Sequence, residues 1–86
     1  MSEQTFLRDI SEETWREVIA GLSSAGWLAQ IGGGLDFSWA LLTSEGMRID
    51  MEYEIWRGGE MVFGTLHISK IKSALPADIV AQLDME

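Results

Sequence analysis

From Met47 to Trp56 the chain alternates strictly, with Met47, Ile49, Met51, Tyr53 and Ile55 on one parity and Arg48, Asp50, Glu52, Glu54 and Trp56 on the other. A period of two belongs to a half-buried β-strand. Turn residues stand at both ends, Ser44-Glu45-Gly46 before and Gly58-Gly59 after, so this strand is expected at the centre of an antiparallel meander. On the side before it, Leu35 to Thr43 alternates Leu35, Phe37, Trp39 and Leu41 against Asp36, Ser38, Ala40 and Leu42. A three-residue loop at Ser44–Gly46, with Gly46 left-handed, would set Leu41 opposite Ile49, Trp39 opposite Met51 and Phe37 opposite Tyr53. On the other side, a two-residue Gly58-Gly59 turn would pair Arg57 with Glu60, Ile55 with Val62, Met51 with Leu66 and Ile49 with Ile68. Gly64 would then lie under the Tyr53 ring.

A different period precedes the strands. Trp15, Val18, Ile19 and Leu22 fall at i, i+3, i+4 and i+7, the apolar stripe of an amphipathic helix. Ser11 is the expected N-cap, and Glu12, Glu13 and Glu17 suit the positive end of the helix dipole. Gly26 suits the C′ position and Trp27 its apolar contact, which ends the helix near Ala25. Trp27 to Ile31 reads as a short edge strand, followed by a flexible Gly32-Gly33-Gly34 turn. After Lys70 the strand pattern stops. Ser73 to Met85 reads as a helix or a pair of turns, with Pro76 early and Ile79, Val80 and Leu83 on one side.

These elements predict an α+β fold, with an N-terminal amphipathic helix on a three- or four-stranded antiparallel β-meander and a short C-terminal helix, in α-β-β-β-α order. At 86 residues the chain has apolar material for one core, hence one domain over 1–86. Residues 1–5 are expected to fray and 84–86 to be loose.

Composition narrows the chemistry. The absence of cysteine excludes a disulfide framework and thiolate metal sites. The opening residues lack the basic-then-apolar pattern of a signal region, so a cytoplasmic location is expected. No apolar run approaches the roughly 20 residues of a membrane span. Fourteen acidic residues against six basic ones give a net charge of -8. That charge repels phosphate backbones and anionic lipid surfaces, so neither direct nucleic-acid binding nor membrane binding is expected, whereas a basic protein would be attracted.

The expected registers gather Asp36, Asp50, Glu52 and Glu54 on the outer sheet face, with Asp50 opposite His67. A carboxylate–imidazole pair can serve acid–base chemistry or hold a cation. Carboxylates at i, i+2 and i+4 also describe any solvated strand face. On the same face Trp56, Met61 and Phe63 would gather beside the second hairpin, as ordinary core if another segment covers them and as an interface patch if none does. Trp15, Trp27 and Trp39 are expected inside. The glycine run lacks the lysine and spacing of a phosphate loop, and with a single histidine a hydrolytic triad would rest wholly on His67. No catalytic, metal or cofactor residue is therefore assigned.

The leading reading is a small acidic module that binds another, basic protein as an inhibitor, adaptor or immunity-like partner, through Asp36, Asp50, Glu52, Glu54, His67 and the apolar Trp56, Met61 and Phe63. A second reading is a homodimer paired through the hairpin patch. A third is an enzyme using Asp50, Glu52 and His67, although a flat sheet face makes a poor pocket.

Overall fold

The computed structural model describes residues 3–84. It is an α+β fold. A strand β1 (Gln4–Ile10) precedes helix α1 (Glu12–Ser24), and strands β2 (Leu28–Gly33), β3 (Phe37–Ser44), β4 (Met47–Glu54) and β5 (Gly58–Gly64) follow as a meander. Short helical turns lead through α2 (Ile68–Ile71) to α3 (Ala77–Asp84). The sheet is antiparallel with order β1-β5-β4-β3-β2, so β4 is the central strand.

Helix α1 forms where its sequence signals place it. Ser11 is the N-cap and its hydroxyl accepts from the Thr14 amide at 3.2 Å, satisfying one of the donors a helix start leaves free. At the other end Gly26 adopts φ 99°, and the Trp27 amide donates back to the Leu22 carbonyl at 3.0 Å. This is a Schellman closure, with the buried Trp27 as its apolar contact. Trp15, Val18, Ile19 and Leu22 are buried against one sheet face. Gly59 leaves room for Trp15, since a Cβ there would stand 2.7 Å from Trp15 Cδ1. Ile71, Leu75 and Ile79 of the C-terminal segment join the same core. The Thr14 hydroxyl donates to Asp78 at 3.5 Å, linking α1 to α3.

Every core residue that the sheet supplies points to this helix-covered face: Leu7 and Ile10 from β1, Ala40 and Leu42 from β3, Met47, Ile49 and Met51 from β4, Met61 and Phe63 from β5. Among the described residues nothing packs over the opposite face.

Several expectations are corrected. The sheet has five strands, because Gln4–Ile10 pairs with β5 instead of fraying through Thr5; Met1 and Ser2 lie outside the described residues. Strand β5 ends at Gly64, so Leu66 and Ile68 lie in the helical turns after it. The expected C-terminal helix begins only at Ala77, and Met85 and Glu86 lie outside the described residues.

Both hairpin registers also differ. The first hairpin closes through two residues, Glu45 (φ 49°) and Gly46 (φ 82°), between the paired Ser44 and Met47. Two successive positive φ angles define a type I′ loop. The second closes through Ile55, Trp56 and Arg57, with Gly58 left-handed at φ 80° and paired to Glu54. Each expected loop type occurs, but at the other hairpin.

Candidate functional site

The one-residue difference in the first hairpin turns β3 over. Ala40 and Leu42 face Met51 and Ile49 inside, while Phe37, Trp39 and Leu41 stand outside opposite Glu54, Glu52 and Asp50. A period of two permits nothing else, because a slip by one residue exchanges the faces of the whole strand. Trp39, expected in the core, is therefore 39% exposed.

The outer face is ordered in rows across the sheet. One runs Phe6, Val62, Asp50, Leu41, Gln30. The next runs Glu60, Glu52, Trp39, Gly32. Gly32 is bare because the Trp39 indole lies over it: a Cβ at 32 would stand 2.6 to 2.8 Å from ring atoms. Phe6, Asp50, Glu52, Glu60 and Val62 line a hollow of about 140 Å³.

The electrostatics of this face are uneven. Arg48 donates to Asp50 through Nε and Nη2 at 3.0 to 3.2 Å. Those hydrogen bonds, and next the Asp50 charge, raise the guanidinium pKa above its ordinary value. Arg57 stands 3.7 Å from Glu54 and 3.6 Å from Glu60. Glu52 has no ion-pair partner among the described residues, and it lies directly opposite Glu60. Like charges directly opposed across strands are destabilising.

Of the residues expected at the site, Asp50, Glu52 and Glu54 do share this face. Asp36 lies in the β2–β3 loop, where its carbonyl accepts from the Ile55 amide at 3.3 Å. Met61 and Phe63 are corrected to core: they point inward and are 1% and 2% exposed, because the three-residue second loop reverses their parity. Trp56 remains exposed at 77%, in that loop rather than beside Met61 and Phe63. His67 is not opposite Asp50, whose β5 partner is Val62. It lies in the turn after β5, with its ring over Gly64. The acid–base pair has therefore lost its geometry, and no group of three or more His, Asp or Glu residues among those described could hold a metal ion.

The residues that sequence reasoning missed are Phe6, Phe37, Trp39, Leu41, Glu60 and Val62. For Phe37, Trp39 and Leu41 the available signal was the Glu45-Gly46 pair, where a two-residue loop before Met47 turns their parity outward; Glu60 and Val62 depend instead on the second loop, and Phe6 on strand β1.

Comparison with protein-family models, with curated proteins and with solved structures finds no match to this chain. No helix among the described residues is long and apolar enough to cross a membrane.

Proposed function

We propose that the chain is a small binding module that receives a basic segment of another protein on its outer sheet face, as an inhibitor, adaptor or immunity-like partner. The observation that carries this reading is the row Glu60, Glu52, Trp39 on a face that nothing among the described residues covers. A cationic side chain placed there would relieve the Glu52–Glu60 repulsion and stack against an indole, an arrangement favourable to both lysine and arginine. Phe6 supports the same chemistry from within the chain, since the Arg8 guanidinium already stands 5.9 Å from its ring centroid.

The division of labour follows from charge and burial. The net charge of -8 would speed encounter with a basic partner. Phe37, Trp39 and Leu41 would supply the apolar contact from which most binding energy comes. Rigidity comes from below, because β3 and β4 are pinned by Leu42, Ile49 and Met51 in the core.

The test is affinity capture on the immobilised chain beside two variants of equal net charge. Glu52→Lys with Glu60→Lys alters the face, and Glu13→Lys with Glu17→Lys alters helix α1. A basic protein retained by the wild type and the helix variant, released by salt and lost from the face variant, is the expected result. Retention of that same protein by the face variant would refute the assignment.

A further inference from the structure

We infer that two copies of this chain associate through strand β2, edge to edge and antiparallel, joining their sheets about a two-fold axis. The two edges of the sheet are unlike. On β1 the pairing is irregular between Leu7 and Ile10, Asp9 takes φ 57°, and Arg8 and Asp9 bring charge. A bulge and charges are the usual means by which an edge strand is kept from pairing further. Strand β2 has neither. From Leu28↔Thr43 to Gly33↔Ser38 its register is unbroken, and its sequence LAQIGG contains no charge and no proline.

The backbone of β2 is set for another strand. The Gly34 amide donates to the Phe37 carbonyl at 2.8 Å, which fixes the alternation of the ladder: Leu28, Gln30 and Gly32 direct their backbone groups to β3, and Ala29 and Ile31 direct theirs to the open side. In an antiparallel self-pair centred on Gln30, Ala29 of each copy stands opposite Ile31 of the other, and each such pair can exchange two N–H···O bonds. Leu28 then stands opposite Gly32 of the second copy, against the edge of the Trp39 indole that lies over that glycine. Leu28 and Ile31, 74% and 58% exposed, gain cover by this arrangement.

Charge selects the occupant. A second copy approaching the outer face would meet the same carboxylates it carries, whereas at β2 both contacting strands are neutral. The β4 carboxylates of the two copies would be separated by five strand spacings, about 24 Å, well beyond a Debye length of about 8 Å in physiological salt. A basic partner would find nothing to attract it at this edge. Pairing there leaves both outer faces free and brings them side by side.

The experiment is sedimentation velocity of the full chain from low to high micromolar concentration, together with Ile31→Lys and Leu28→Lys. Both side chains are exposed in the single chain, so each variant should keep the wild-type circular dichroism. Backbone amide exchange at Ala29 and Ile31, followed by NMR at two concentrations, reads the edge directly. The expected result is a wild type that moves from one to two chain masses with concentration, lysine variants that remain at one, and Ala29 and Ile31 amides that slow as the dimer fills. A wild type of one chain mass throughout would overturn the inference. So would a dimer that both lysine variants leave intact, or one whose Ala29 and Ile31 amides exchange at concentration-independent rates.

Discussion

Replacing Glu45 by asparagine should stabilise the chain. Glu45 has φ 49° and Gly46 φ 82° in the loop between Ser44 and Met47. A side chain with a Cβ costs about 1–2 kcal/mol in the left-handed region, and asparagine pays less because its short amide bonds locally. Recovering part of that cost gives about 0.5–1 kcal/mol, a rise in Tm of about 2–8 °C for a domain of this size. Glu45 is exposed and has no ion-pair partner among the described residues, so the substitution breaks nothing else. Glu45→Gln is the control, since it removes the same charge without the left-handed preference. Urea unfolding followed by tryptophan fluorescence measures both, and an unchanged denaturant slope would show that only stability has moved. If Glu45→Asn were no more stable than Glu45→Gln, the two-residue loop would be wrong. The register that turns Phe37, Trp39 and Leu41 outward would fall with it.

Three further outcomes follow from the packing and the charges. Leu42→Ala removes a fully buried side chain between α1 and the central strands and should cost about 2–5 kcal/mol in urea unfolding; a loss under about 1 kcal/mol would mean that Leu42 is not at the core. Gly59→Ala would place a Cβ 2.7 Å from Trp15 Cδ1 and 3.0 Å from the Ile10 carbonyl oxygen, an overpacking that should cost about 1–3 kcal/mol and shift the Trp15 emission; an unchanged Tm and spectrum would contradict that close approach. Glu52→Gln removes one member of the Glu52–Glu60 opposition and should raise stability by about a few tenths of a kcal/mol at low salt, the gain vanishing in molar salt, where screening is nearly complete; a loss of stability at low salt would show that Glu52 has a favourable role in the free chain.

The helix was legible because its signals agree: a capping serine, acidic residues in the first turn, a 3.6-residue apolar stripe and a closing glycine all mark the same segment. The central strand was legible for the same reason, since its two parities differ sharply in polarity. Strand β3 was not. Phe37, Trp39 and Leu41 on one parity and Ala40 and Leu42 on the other are both apolar, so alternation could not say which set faces the helix, and the choice fell to a loop length. Gly58-Gly59 misled in a similar way, because a diglycine suggests the turn itself. Here Gly58 supplies the left-handed residue that ends the loop, and Gly59 lies within β5, bare beneath Trp15. Strand β1 was hidden by its irregularity, because the left-handed Asp9 breaks the alternation just before Ile10. The three acidic strand residues of the candidate site survived these errors because they lie on the unambiguous strand. Met61 and Phe63 did not, since their facing depended on the second loop.

Where a cationic chain docks on this protein can be measured residue by residue. Titration of the isotope-labelled protein with a short lysine- and arginine-rich peptide, followed by amide and indole NMR shifts, is that measurement. The shifts should centre on Trp39, including its indole N–H, and on Glu52, Glu60 and Phe37, and should weaken in Glu52→Lys with Glu60→Lys. Shifts centred on Glu12, Glu13 and Glu17 at the start of α1, or spread evenly over all the carboxylates, would contradict it.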